Sequence, residues 1–506
     1  MSEEKRVPLP GTERAIWPGS RKADSVSADS EVLLTAWLRP RRGGDLDEDA
    51  ARTLGSVAPL RRTYATRSTL KGQTDADPAD VAVLQRYCEG LGITVGNSHW
   101  RSVTVSGSID RLIDAFGATV AIFEDEGQRR FRHRSGALHV PPEIVAIVRG
   151  IFGLHQWPRS RKLTSLQRSV TPLKARDVVA RYAFPPGDGS GQTVGVLQLN
   201  GVFNAADFDR CMAAQKLTPP VPIVKRVDNA VVEHELETVK DLEAALDVQI
   251  IASLAPGARV VVYEAPNDER GFLDAVRTAL FDDELAPSVL SISYGWPEHL
   301  WTPVALAILD ELFAVAALLG VSVFCASGDN GAELDAAGNA HVLAPASSPF
   351  AIACGATEIT AANAERAWKK TGGGFSERFA TPAWQTVAGS SASHYGVPAG
   401  RGVPDVAAQQ TPGYYGILNG VELAMGGTSA VAPMWAALAA RINAHLGTPI
   451  GFFSPLLYER SHHGLFHSIT EGSNDRFGAG APWNPCTGLG VPIGSAIADA
   501  LGAQPA

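Results

Sequence analysis

The chain is poor in the residues that would mark a disulfide-stapled, cysteine-metal or membrane protein. Five cysteines occur in 506 residues (Cys88, Cys211, Cys325, Cys354 and Cys486). They are odd in number and scattered, with no CxxC pair, which argues against both a disulfide framework and a cysteine zinc site. The opening residues MSEEKRVPLP contain no apolar h-region, so no conventional signal peptide is read there. The longest apolar stretch, Phe313 to Ser327, is interrupted by Gly320 and is too short to span a bilayer. It reads as a helix end, a turn and a buried strand, and no membrane association is expected. Positive charge is not in excess either. The net charge of -9 argues against a nucleic-acid partner. There is no internal repeat and no GxxxxGK[ST] loop, and Gly372-Gly373-Gly374 lacks the strand–turn–helix context that would hold a phosphate.

What is present describes a folded chain. Hydrophobic residues are 45% and charged ones 19%, which excludes a mostly disordered chain and a coiled coil. Gly 50 and Pro 33 imply many turns and speak against an all-helical fold. The length exceeds what one core ordinarily holds, so two or three domains are expected. Charge divides the chain. Residues 1–170 carry 25 Lys and Arg against 20 Asp and Glu, a net of +5, and the remainder carries 19 against 33, a net of -14. Two domains that attract each other would give this split. The join shows at QWPRSRKLTSLQRSV, residues 156–170, with four basic groups and no acid. Such a stretch reads as an exposed linker open to proteolytic nicking.

Before the linker, Glu31–Leu38, Ser102–Val105 and Thr119–Phe123 read as strands, and Ala79–Leu91 and Ile109–Phe116 as amphipathic helices. Pro141-Pro142 is expected to open a further helix over Glu143–Arg149. This order fits a ferredoxin-like α+β sandwich. After the linker, short β-branched strands at Thr193–Leu199, Ala258–Tyr263, Ser288–Ser293 and Val321–Ala326 alternate with helical stretches near 239–254, 270–281 and 303–319. The alternation implies an α/β unit with a parallel sheet covered on both faces, whose ligands bind outside the carboxyl ends of the strands.

Three features there carry chemistry. In the helix near 239–254, Leu236, Val239, Leu242, Leu246, Ile250 and Leu254 share one arc, with Glu243 inside it and Asp247 at its edge. Two acids stacked four residues apart on a buried face repel and lose hydration, so the pair can share a proton and act as a base at acidic pH. A plainer reading is that Glu243 reaches solvent past Ala244 and Ala245. In Gly426-Gly-Thr-Ser429-Ala-Val-Ala-Pro433, Ser429 begins an Ala-rich helix, where free N–H groups stabilise an oxyanion. Alone it would read as an N-cap. Pro433 is expected in the first turn, where its missing N–H costs little. Asp329, in Ser327-Gly-Asp-Asn-Gly331, sits at a strand's carboxyl end, where a site acid or a simple turn acid is placed.

Together these residues resemble the sedolisin family of serine-carboxyl peptidases, most closely its kumamolisin-type members, over nearly the whole chain. The likeness is carried by Glu243-Ala-Ala-Leu-Asp247, Leu254-Ala-Pro-Gly-Ala, Ala265-Pro-Asn, Ser291-Ile-Ser-Tyr-Gly, Ser327-Gly-Asp329-Asn-Gly, Gly372-Gly-Gly-Phe-Ser, Arg401-Gly-Val-Pro-Asp-Val, Gly427-Thr-Ser429-Ala-Val-Ala-Pro and Pro485-Cys-Thr-Gly-Leu-Gly490. Phe466-His467 and Ile469-Thr-Glu-Gly472 add to it.

The resemblance implies a ferredoxin-like inhibitory prodomain (1–156), a basic activation linker (157–170) and a subtilisin-like parallel-sheet catalytic domain (171–506). It implies an endopeptidase made as a self-processing zymogen. Ser429 would be the nucleophile, Glu243 its base, Asp247 the partner of Glu243, and Asp329 the acid that donates to the oxyanion. Ser293, Tyr294 and Gly295 would line the substrate cleft. No HGT-type histidine motif is present, and His234 falls in the loop leading to the carboxylate helix. Peptide or protein substrates, the chain's own prodomain as inhibitor, a monomer and secretion are expected. Protonating acids at low pH would weaken the attraction between the two domains.

Several positions depart from the family. Its calcium site expects aspartates where Ser468 and Asn484 stand, and a glycine at Pro482. Calcium affinity follows ligand charge, so no tightly bound calcium is expected. Gln198 replaces a common glutamate and Tyr294 a common tryptophan. Removing that acid would lower the proton affinity of Glu243. Leu343 stands where some members carry an acidic pocket residue, which predicts less preference for basic side chains. Asp405 reads as structural, and His462, His463 and His467 as a polar loop. Two other readings remain: a catalytically silent homologue acting as a binding protein, and an esterase or amidase, which the absence of a GxSxG elbow disfavours.

Overall fold

The computed structural model describes residues 6–156, 171–229, 240–335, 337–388 and 392–503, with the backbone of 165–167. Most of the linker, and His234, lie outside the described residues.

The N-terminal unit is built on β1 (Glu31–Leu38), α1 (Pro78–Gly90), β2 (Thr94–His99), β3 (Ser102–Ser108), α2 (Ile109–Phe116) and β4 (Val148–Phe152). Its antiparallel sheet runs β2-β3-β1-β4, a ferredoxin-like order, while the expected strand Thr119–Phe123 lies outside it, paired with Arg21–Asp24 and Arg130–Ser135. Side chains on β1 divide by the strand's two-residue period. Val32, Leu34, Ala36 and Leu38 join the core shared with α1 and α2, while Trp37 packs into the other unit's core. The helix expected over Glu143–Arg149 is one turn only, Pro142–Val145, and the chain then extends into β4. β4 pairs with β1, and that pairing gives its apolar residues a sheet edge to complete, which outweighs continuation of a marginal helix.

The C-terminal unit contains β5 (Thr193–Leu199), β6 (Ile223–Arg226), α3 (Lys240–Leu254), β7 (Arg259–Ala265), α4 (Glu269–Leu280), β8 (Val289–Ile292), α5 (Pro303–Leu319), β9 (Ser322–Ala326), β10 (Ile352–Ile359), β11 (Glu365–Ala367), β12 (Val406–Thr411), β13 (Val421–Gly426) and α6 (Thr428–Leu446). The main sheet runs β6-β7-β5-β8-β9-β10, with β12 parallel and β11 antiparallel to β10. All seven residues of β5 are buried, as strands covered on both faces must be. Chain order reverses beside β5, and the carboxyl ends of β5, β8 and β9 open at one edge. α6 runs beneath them, packed on α3, β8 and β9.

The outer faces of α4 and α5 receive the N-terminal sheet. Thr35 donates to Asp274 at 2.7 Å, Arg14 pairs with Glu269, and Glu311 takes Arg101 at 2.9 Å as well as Arg149. Basic groups of the first unit thus meet acids of the second, as the charge split predicts. Two acids here, Asp274 buried and Asp310 half-buried, hold their protons more tightly than ordinary carboxyls. Burial pushes Asp274 up to about 6 and Asp310 up to about 7. A group whose proton affinity is raised in the folded chain takes up its proton more readily there, so protonation of these two favours the folded state.

Candidate active site

Ser429 is the second residue of α6, behind Gly427, whose φ of 94° makes the turn into the helix. Its Oγ donates to the carbonyl of Ser293 at 3.3 Å. Pro433 falls in the second turn rather than the first. Its missing N–H would have bonded the carbonyl four residues back, which is that of Ser429. Ser293 Oγ lies 3.3 Å from this carbonyl oxygen and 2.8 Å from Asp247 Oδ1. The side chain of Ser293 is therefore turned inward and fully buried, and its carbonyl faces the serine.

Glu243 and Asp247 lie on successive turns of α3 and are both 0% exposed. The small neighbours of Glu243 do not open a path to water, and Asp247 is as deep as Glu243 rather than at an edge. Burial first, then the Glu243 charge, hold the Asp247 carboxyl well above the ordinary carboxylate range, against the opposing bond from Ser293. Tyr294, the next residue along, is a buried phenol raised by burial and by the charges of Glu243 and Asp247, and Gln198 neighbours it. Both substitutions named above thus flank the carboxylate pair.

Asp329 follows β9. Its Oδ1 accepts from the Thr428 backbone N–H and from Thr428 Oγ, each at 2.8 Å, while Thr428 Oγ accepts from Gly328 N–H at 3.1 Å. Loss of hydration pushes the Asp329 carboxyl up to about 8, against the Thr428 bonds. Thr428 is the residue that sequence reasoning missed. It rivets the β9 loop to the start of α6, and only its place beside Ser429 could have signalled it. Gly295 and Gly328 both abut Leu343, and a Cβ on Gly328 would stand 2.9 Å from Leu343 Cδ1. Leu343 is buried, so what packs between the two glycines is apolar. The structure thus brings Ser429, Asp329, Glu243, Asp247 and Ser293–Gly295 to one place. Asp405 is elsewhere, buried against Arg401 at 2.5 Å and Tyr458 at 2.9 Å, a structural ion pair. His462, His463 and His467 are exposed. Ser468 is exposed and Asn484 buried, both away from the serine's contacts.

A sheet of this strand order, with a serine opening its central helix and an α+β unit packed on two of its outer helices, defines a subtilisin-fold serine peptidase carrying an activation domain. Comparison with known proteins agrees. Residues 18–157 match the family model described as "Pro-kumamolisin, activation domain", and residues 239–480 match "Subtilase family". Kumamolisin of Bacillus sp. (strain MN-32) is 36% identical, covering 99% of this chain and 97% of its own. Tripeptidyl-peptidase 1 of Homo sapiens is 31% identical over 96% and 94%. The solved structure of Pseudomonas sedolisin, a serine-carboxyl proteinase complexed with pseudo-iodotyrostatin, is 26% identical with a TM-score of 0.58, covering 65% of this chain and 98% of that one. The chain belongs to the sedolisin family, as a kumamolisin-like proenzyme.

Proposed function

We propose that the protein is a serine-carboxyl endopeptidase that works at acidic pH and processes its own precursor. In this reading Ser429 Oγ attacks the peptide carbonyl and Glu243 takes its proton. Asp247 keeps Glu243 ionised by carrying the proton the pair shares. The single hydrogen of Ser293 Oγ cannot serve both of its neighbours. A protonated Asp247 resolves this, because it donates to Ser293, which then donates to the Ser429 carbonyl. Asp329, protonated below about 8, donates to the developing oxyanion. A histidine base would itself be protonated in acid, whereas a carboxylate pair keeps working there.

The observation that supports the endopeptidase mode is the backbone of Ser165–Gln167. This internal segment pairs antiparallel with β13, Ser165 opposite Gly426, three residues before Ser429. A chain that continues on both sides lies along the strand that leads into the nucleophile, as an endopeptidase substrate must. The same contact supports inhibition of the enzyme by its own precursor segment. Leu343, where an acidic side chain would favour basic ones, supports a preference for uncharged side chains. The silent-homologue reading rests on the lost calcium ligands at Ser468 and Asn484 and on Gln198 and Tyr294, but Ser429, Glu243, Asp247 and Asp329 are all retained. An N-terminally blocked peptide and a tripeptidyl substrate with a free amine separate the two peptidase modes. Cleavage of the blocked peptide in acid is expected, and release of tripeptides alone would overturn the proposal.

A further inference from the structure

The calcium site implied by the family resemblance meets a different solution here. Asn484 is 1% exposed. Its Oδ1 accepts from the backbone N–H groups of Cys486 at 3.0 Å and Thr487 at 2.9 Å. Its Nδ2 donates to the carbonyls of Gly480 at 2.8 Å and Ile469 at 3.4 Å, with Thr487 Oγ at 3.0 Å. Two N–H donors on one side and two carbonyls on the other leave the amide a single orientation.

An aspartate at this position would turn its second oxygen onto the carbonyl oxygens of Gly480 and Ile469. Three oxygens facing one another need a cation between them, and calcium takes such oxygens. The amide N–H fills that need directly, and a cation beside it would meet a donor rather than a ligand. Among the described residues no cluster of three His, Cys, Asp or Glu side chains could hold a metal ion. Ser468 and Glu471 are exposed, and Asp475 is on the surface, 3.2 Å from Lys369. The residues present therefore do not fit calcium.

We propose that the Asn484 amide replaces the calcium ion of this family, so that the loops it joins are held without metal. The cross-link matters to the site. Asn474 Nδ2 donates to the carbonyls of Pro485, beside Asn484, and of Gly373, at 3.3 and 3.4 Å. Gly372 N–H in turn donates to the Gly328 carbonyl at 2.7 Å, in the loop that carries Asp329. The amide clamp thus buttresses one wall of the cleft.

The test uses the full chain as the Ser429→Ala precursor, which removes any self-processing. Its calcium content after dialysis and its Tm in excess calcium and in EDTA are measured, beside the same chain with Asn484→Asp and with Ser468→Asp plus Asn484→Asp. The parent is expected to hold no stoichiometric calcium and to melt at the same temperature in both buffers. Asn484→Asp should melt lower in EDTA, and the double variant should gain several degrees from calcium, because a ligand that binds only the folded state raises its stability. One calcium per chain in the dialysed parent, or a parent Tm that falls in EDTA, overturns the proposal. So does Asn484→Asp melting as the parent does in EDTA. If the aspartate variants do not fold, the parent's calcium content and EDTA response decide.

Discussion

Thr428 shows how much rests on one hydroxyl. It accepts from Gly328, donates to Asp329, and adjoins Ser429 in the chain. Thr428→Val keeps the shape and removes both bonds, leaving a buried N–H without its partner, which costs about 1–3 kcal/mol. We expect a lower Tm and a larger fall in kcat than in KM, because Asp329 loses its orientation; steady-state kinetics and thermal melts check this. In the proposed mechanism Asp329 sets an alkaline limit. Its carboxyl is raised to about 8, so the donor proton is present below that value and lost as pH rises through it. The rate should fall across that range. In Asp329→Asn, which donates at every pH, the alkaline limb should flatten while kcat drops. Both results are read from pH–rate profiles. At this scale the sequence offered Ser429, Glu243, Asp247 and Asp329 as candidates; Ser429, Glu243 and Asp329 each had a plainer reading alone, and it was the order of several motifs that gave them roles. Thr428 and the inward turn of Ser293 were not legible, since each depends on partners about 45 to 135 positions away.

α6 carries a defect that the fold repairs from outside. Pro433 leaves the Ser429 carbonyl without a helical donor, and Ser293 Oγ stands in for it. Ser293→Ala should therefore destabilise the protein by about 1–3 kcal/mol, more than loss of one exposed hydroxyl, and denaturant melts measure it. The longer strands and helices that carry the site were legible from periodicity and boundary residues: α5 begins at Pro303 and ends at Leu319, capped by Gly320, whose φ is 75°, as a helix with those punctuation marks should. The error over Glu143–Arg149 has a physical cause. Pro141-Pro142 signals a helix start, but nothing local says that the next residues complete a sheet edge against β1, more than 100 positions earlier. The pairing of Ser165–Gln167 with β13 was invisible for the same reason.

For the whole molecule, the charge split predicted two units that attract, and the ion pairs across α4 and α5 are the result. It did not predict which groups make that contact pH-sensitive. Asp274 and Asp310, raised by burial, favour the folded chain as pH falls. His133 and His155, in the N-terminal unit, have the opposite sign. Their rings meet edge to face at 4.9 Å, beside Trp17, Phe123 and Phe131. Burial first, then the Arg14 and Arg134 charges, lower His133 to about 4. Burial, then Arg14, His133, Arg134 and Arg132, hold His155 well below the ordinary value. A group lowered on folding contributes its full stability above its ordinary value of 6.5 and loses it as pH falls. Acid should therefore loosen the N-terminal unit before the catalytic one. His133→Leu should shift the pH of half-maximal processing downward, as followed by gel densitometry across a pH series.

The central claim is that Ser429, served by a carboxylate pair, cuts peptide bonds, its own precursor's included. Incubation of purified wild-type and Ser429→Ala chains between about pH 3 and pH 7, the range in which carboxylates and imidazoles change charge, tests it most directly when self-cleavage and casein digestion are followed together. The account predicts that the wild type, in acid, loses the N-terminal unit by cleavage within 157–170 and digests casein, while Ser429→Ala stays intact and inert. Self-cleavage of Ser429→Ala at the wild-type rate, or a wild type inert at every pH, would contradict it.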